Sequence, residues 1–158
     1  MKTIEERIKE LRDGNWQERK DAAEHLCERG GYRAVPQLIT ALRDPCWPVR
    51  ANAALALSSI GDPRALEALI EAKRDERWDV RENAVIGLGV IGDPRAVEAL
   101  IEALNDPEVS VRAEAAYALG EIGDLRAIDP LNELLKKDRS GEVKIAASRA
   151  LEWLRKRT

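Results

Sequence analysis

One feature constrains this chain more than any other: it repeats itself every 31 residues. Val49-Arg50 returns as Val80-Arg81 and Val111-Arg112 at steps of 31, Glu18-Arg19 stands 31 before the first, and Val143-Lys144 follows after 32. A second motif keeps the same period. Ile60-Gly61-Asp62-Pro63-Arg64-Ala65 recurs as Ile91-Gly92-Asp93-Pro94-Arg95-Ala96 and as Ile122-Gly123-Asp124-Leu125-Arg126-Ala127, with Gly30-Gly31-Tyr32-Arg33-Ala34 as a degenerate first copy. A fixed period of this length marks a stack of supersecondary units, each too small to bury its apolar face alone.

Each period reads as two helices. Asp62-Pro63 is a helix start, the carboxylate accepting from free amides and Pro giving up an N–H that lacks a partner there; Gly61 ends the helix before it. Asp44-Pro45 and Asp106-Pro107 suggest the same device at the other turn. This places "VR helices" at about 16–29, 46–60, 77–91, 108–122 and 141–156, alternating with "RA helices" at about 3–12, 33–43, 64–74, 95–105 and 126–136. Ala53, Leu57 and Ile60 are expected to meet Leu66, Leu69 and Ile70 across the pair, with equivalents in each repeat. The 158 residues suit a single domain, 1–158, divided into repeats at approximately 3–29, 33–60, 64–91, 95–122 and 126–156.

Composition agrees. With 44% hydrophobic and 35% charged residues the chain is far from the disordered class, and a net charge of −3 gives no broad field to capture nucleic acid or an anionic membrane. No apolar run approaches the roughly 20 residues of a membrane span, and the charged start lacks a signal-peptide core, so a cytoplasmic protein is expected. Phe is absent, leaving Ala, Leu, Ile and Val to fill a core between closely spaced helices.

The pairs Asp13/Arg19, Asp44/Arg50, Asp75/Arg81 and Asp106/Arg112, with Asp138/Lys144 as a conservative fifth, share one Asp-x5-Arg spacing. Together with the Gly-Asp-Pro-Arg-Ala turns, they make the chain resemble the HEAT-repeat family, in the short-period branch that includes phycobilisome (bilin) lyase subunits. The resemblance implies an all-α, right-handed α-solenoid of five two-helix HEAT-like repeats. It also implies a structural role for these Asp and Arg side chains, as a ladder between neighbouring repeats.

Signals for catalysis are weak. Gly87-Leu88-Gly89-Val90-Ile91-Gly92 matches a dinucleotide-binding pattern, but Gly89 and Gly92 fall in register with Gly120 and Gly123 at the close of a repeated helix, not at its opening. His25 is the only histidine, expected to be a partly buried helix residue, and it has no companions for a zinc site. Cys27 and Cys46 are offset by about 12 residues in repeat register, ~18 Å along parallel helices, too far for a disulfide. No catalytic, metal or cofactor-binding residue is therefore assigned, and no enzyme activity is expected.

A binding face is easier to place. In the second VR helix Val49, Ala53, Leu57 and Ile60 form the core set, whereas Leu55 points about 200° away from Leu57. Trp47, Ala51, Leu55 and Ser59 make a separate row, matched by Trp78, Glu82, Ile86 and Val90, and by Val109, Ala113, Tyr117 and Glu121. Trp16, Trp47 and Trp78 share a register and are expected to align as an indole ladder. In the resembling family the VR-type helices line the concave face. The candidate partner-binding residues are therefore Trp16, Trp47, Asn52, Leu55, Trp78, Glu82, Ile86, Val90, Tyr117, Glu121 and Ile145, with Trp153 nearby and Asn83, Asp79 and Glu114 on the rim. Glu24, Glu28, Asp79, Glu82, Glu114 and Glu121 against Lys20 and Arg149 make the rows lean acidic.

The expected function is a non-catalytic scaffold or adaptor that binds a protein or peptide on that face; self-association stays open, and nucleic acid is disfavoured. The alternatives are a lyase-like or chaperone-like subunit assisting cofactor attachment, and an engineered repeat-protein binder. Structural packing of the same row competes with all of them.

Overall fold

A computed structural model describes residues 2–28 and 31–157. Arg29 and Gly30, the predicted end of the first VR helix and part of its degenerate turn, lie outside the described residues, as do Met1, Thr158 and the side chain of Glu28.

Among the described residues ten α-helices pair into five units: α1 (Ile4–Asp13) with α2 (Trp16–Glu28), α3 (Val35–Ala41) with α4 (Trp47–Ile60), α5 (Leu66–Ala72) with α6 (Trp78–Ile91), α7 (Val97–Ala103) with α8 (Val109–Ile122), and α9 (Ile128–Lys137) with α10 (Gly141–Arg155). No described residue is in a strand. The fold is an all-α solenoid, with the helices close to where the repeat predicts them. Short 3-10 turns, as at Pro63–Ala65 and Pro94–Ala96, lead into α3, α5, α7 and α9 and so shorten the predicted RA helices.

The local chemistry explains the ends. Gly61, Gly92 and Gly123 close α4, α6 and α8 with φ of 64°, 69° and 79°, the left-handed region that favours glycine. Asp62, Asp93 and Asp124 then each accept a backbone N–H from the Arg two residues on, at 2.9 Å. The other turn departs from expectation. The N-caps of α4, α6 and α8 are Cys46, Arg77 and Glu108, not the Asp two residues earlier. Asp44, Asp75 and Asp106 do accept the N–H of those cap residues at 2.8 to 2.9 Å, but their carboxylates turn sideways toward the preceding repeat.

There they meet the predicted ladder. Arg19 Nε donates to Asp44 at 2.6 Å, and Arg50, Arg81 and Arg112 donate to Asp75, Asp106 and Asp138 at 2.7 Å. A second nitrogen of each guanidinium reaches the other carboxylate oxygen, a bidentate match to the planar fork. The third nitrogen donates to a carbonyl of the loop in its own repeat: Gly14, Asp44, Asp75 or Asp106. Each Arg thus ties its own interhelical loop to the next one. The series stops at Lys144, which is exposed.

The VR helices α2, α4, α6, α8 and α10 pack closely one upon the next, and each RA helix packs on the VR helix of its own unit. Successive RA helices touch each other far less, so the VR layer has the shorter arc and is the concave side. Small residues allow this approach: Ala22, Ala23, Ala53, Ala54, Ala84, Ala115, Ala116, Ala146 and Ala147 are all fully buried. Gly120 is the sharpest case, since a Cβ there would lie 2.8 Å from Ala150 Cα of α10 and 2.8 Å from the Trp153 ring. Ala53, Leu57, Leu66 and Leu69 form the expected core, with Ile60 and Ile70 half-buried beside it.

Replacing Gly120 with Ala is expected to push α8 from α10 and cost about 1–3 kcal/mol. Gly141→Ala, where a Cβ meets nothing within 4 Å, should stay within about 0.5 kcal/mol of wild type in the same urea titrations. Arg81→Ala leaves Asp106, whose side chain is only 8% exposed, without its partner and is expected to cost about 2–4 kcal/mol. The exposed pair of Arg43 with Glu71 is screened by solvent, so Arg43→Ala should shift the unfolding midpoint far less than Arg81→Ala.

Candidate interaction face

An inner VR helix is enclosed by a VR helix on each side and RA helices behind, so little of it is left to solvent. Within α4 the exposed residues are Trp47, Leu55 and Ser59; within α6, Trp78 and Val90; within α8, Glu121. All of them lie in the single four-residue row that the sequence sets apart from the core. Leu55 is 41% exposed and Val90 55%, while Ile86, Glu82 and Tyr117 are half-buried in the same row. Ala113, also in that row, is buried. On α10, Ile145 is 59% exposed.

Packing takes part of this row. Tyr117 leans on Trp153, ring centroids 6.4 Å apart and tilted by 42°. Asn52 donates its amide to the Lys20 carbonyl of α2 at 3.2 Å, so it is spent on joining two VR helices. Asn83 donates to the Asp79 carbonyl one turn back in its own helix.

Trp16, Trp47 and Trp78 are the first residues of α2, α4 and α6, each between 42% and 49% exposed. They do not form the expected ladder of indole on indole; among the described residues the ring pair is Tyr117 with Trp153. Instead Arg77, the residue before Trp78, lays its guanidinium 4.0 Å over the Trp47 ring while donating to Asp79. The reason is geometric: the cap residue of one VR helix arrives at the first turn of the helix before it, so the interposed group is Arg and not an indole. Cys46 occupies the same position relative to Trp16 in sequence register, so no repeated signal marks the Arg77 contact.

The open end of the row holds a cavity of about 630 Å³ between the last turns of α6, α8 and α10, lined by Val90, Glu121 and Trp153 with Gly89, Gly120, Lys156 and Arg157. The Gly87-to-Gly92 motif ends here. A Cβ on Gly87 would meet Leu69 and Ser58, and one on Gly89 would meet Ala118, so these glycines serve close helix packing. Arg157 donates to the Glu121 carbonyl and closes the end of α8.

Electrostatically the face is uneven. Glu114, half-buried in α8, has its pKa raised first by desolvation and then by the like charges of Glu82, Glu121 and Glu142. The sequence placed Glu82, Glu114 and Glu121 on this face but missed Glu142, which only the α8–α10 packing brings in. His25 is exposed, contrary to the half-buried position expected, with Nδ1 2.7 Å from the Asp21 carbonyl. Cys27 and Cys46 are free thiols. Among the described residues no three His, Cys, Asp or Glu side chains converge as metal ligands, and no helix is long and apolar enough to cross a membrane.

The fold and its rungs define a class, the α-solenoids built from helix pairs. Within that class the chain belongs to the HEAT-repeat family, which matches residues 4–79 and 69–152. Among solved structures it is similar to the CpcE–CpcF phycocyanin lyase complex of Nostoc sp. PCC7120, at 30% identity and a TM-score of 0.86, covering 99% of this chain and 66% of that one. The chain thus spans just under two thirds of that subunit. An engineered protein is 23% identical over 98% of this chain and 80% of its own, with a TM-score of 0.76. A designed armadillo repeat protein in complex with the peptide (KR)4 is 20% identical over 96% of this chain and 81% of its own, with a TM-score of 0.78. These last two show the shared fold. No curated protein matches the sequence.

The strain at Glu114 has a pH signature. A carboxyl whose folded pKa lies above its unfolded value stabilises the fold when protonated, and that stabilisation is lost as pH rises through the folded pKa. Glu114→Gln is therefore expected to raise the melting temperature at neutral pH, with the gain shrinking as pH falls toward the ordinary Glu range. Thermal melts of both proteins across pH 4 to 8 check this; a gain that grows in acid contradicts it.

Proposed function

We propose that this chain is a non-catalytic interaction scaffold that holds a partner protein or peptide on the concave face of its VR helices. The carrying observation is that Leu55 and Val90 stand exposed, beside half-buried Ile86, in helices whose every other side is enclosed. Isolated exposed leucines are ordinary, but Leu55, Ile86 and Val90 in the same rows as Trp47 and Trp78 give the composition of a docking surface. The absence of an obvious nucleophile–base pair among the described residues supports the non-catalytic reading: the one histidine is on the surface, bonded to its own helix, and most Asp side chains are engaged by Arg.

Likeness to a subunit found in a two-protein lyase complex supports a protein partner and favours one more specific reading, a subunit that assists cofactor attachment by holding a second protein. The scaffold role is common to both readings.

Leu55→Asp combined with Ile86→Asp puts two charges in the middle of the row without touching a rung. Affinity capture with wild type and this variant, followed by mass spectrometry, is expected to lose the specific partners in the variant while its helical circular dichroism is unchanged. Retention of the same partners by the folded variant removes the assignment of this face.

A further inference from the structure

Along the rungs, the turns and most of the RA face, acidic side chains are paired with cations. The rung Asp residues face Arg, the turn residues Asp62, Asp93 and Asp124 face Arg64, Arg95 and Arg126, and on the RA side Glu71, Glu98 and Glu102 pair with Arg43, Arg126 and both Lys73 and Arg74. Lys73 fills a position where other repeats carry Leu42 and Leu104, and its buried chain still ends on Glu102. The concave face breaks this rule. Among the described residues Glu82, Glu114, Glu121 and Glu142 make no ion pair, although they lie near enough to raise the proton affinity of Glu114 together. Glu121 reaches from α8 back over Gly89 of α6, so the four span three helices.

The same register holds amides in the two repeats before Glu114: Asn52 donates to the Lys20 carbonyl of the neighbouring VR helix and Asn83 to the Asp79 carbonyl of its own. A carboxylate has no hydrogen to donate, so Glu114 makes neither bond. Cations nearby are committed or peripheral: Lys20 to Asp21 and Glu24, Arg77 to Asp79 and the Trp47 ring, Arg157 to the Glu121 carbonyl, with Lys156 beside it at the rim of the end cavity and Arg149 and Lys144 on the last helix. Ile86 and Val90 follow Glu82 in one row of α6, Tyr117 precedes Glu121 in the matching row of α8, and Leu55 holds the register of Ile86 on α4.

We infer that the concave row seats a cationic amphipathic segment of a partner protein, its apolar side on Leu55, Ile86 and Val90 and its Lys or Arg side chains against Glu82, Glu114, Glu121 and Glu142. Charge complementarity selects this occupant: an acidic partner meets uncompensated like charge, and a purely apolar one leaves four carboxylates desolvated at its edge. The inference rests on the docking reading above and adds the chemistry of the partner.

The test uses labelled helical peptides of about fifteen residues, with leucine on one face and lysine on the other, against otherwise identical peptides carrying glutamine or glutamate for lysine. Fluorescence anisotropy at about 50 mM and about 300 mM salt is expected to show the lysine peptide bound to the full chain, more weakly at high salt, and the glutamate peptide unbound. The quadruple variant Glu82→Gln, Glu114→Gln, Glu121→Gln, Glu142→Gln should weaken the lysine peptide at least roughly tenfold at low salt, and Leu55→Asp with Ile86→Asp should weaken it while leaving the helical signal intact. If the glutamine peptide binds as tightly as the lysine one and ignores the quadruple variant, the cationic partner is wrong and the docking face stands. If the lysine peptide ignores the Leu55 and Ile86 substitutions, or no peptide binds, the docking of an amphipathic segment is overturned.

Discussion

The guanidinium that bridges two loops is the contact on which the rest of this molecule depends. Arg50 takes the Asp75 carboxylate of the next repeat with two nitrogens and its own Asp44 carbonyl with the third. Asp75 in turn accepts the Arg77 N–H at the start of α6. One planar group therefore fixes both the spacing of consecutive repeats and the place where the next helix begins. Lys144 cannot continue the series, because a single ammonium does not span the fork.

Once the spacing is set, the packing follows. Helices held this closely admit only small residues where they face one another, which is why α4 buries Ala53, Ala54, Ala56 and Ser58 around Leu57. Four sides of the helix are consumed in this way, by α2, α6, α3 and the remaining turns. The stripe that stays free is dictated by the fold, while the residues on it are not. Leu55, Ile86 and Tyr117 occupy one position in three helices and differ in size and polarity, whereas Val49, Val80 and Val111, two residues into each helix, are identical and buried.

This division explains what could be read in the sequence. The period, the helix pairs and the glycine C-caps were legible because each rests on a local rule repeated three to five times, so a single ambiguous residue did not matter; the Arg–Asp rungs came from the family resemblance. The exposed row was legible too, since helical geometry alone separates Leu55 from Leu57. Interactions that depend on where one helix meets another were not. Asp44 looks like an N-cap until the rung pulls its carboxylate sideways; the tryptophans look like a stack until Arg77 slots over Trp47; and Glu142 joins Glu114 only when α10 lies against α8. Register shows which residues share a level, but it does not show which side chain reaches across the gap.

Like charges held together are a cost the free protein bears, and here that cost is confined to one place. Acidic residues in the turns have their pKa values lowered by arginine, as at Asp62, Asp93, Asp124 and Asp138, so each stabilises the fold above its unfolded pKa and ceases to do so in acid. Glu114 has the opposite sign. A chain that neutralises its acids along the rungs and turns leaves four of them opposed only beside its exposed apolar row. Stability does not require that arrangement, since a neutral amide in the same register donates a cross-link. A counter-charge arriving from outside would relieve the repulsion and cover the apolar surface in a single event, which makes the strained carboxylates and the uncovered leucine two aspects of one surface.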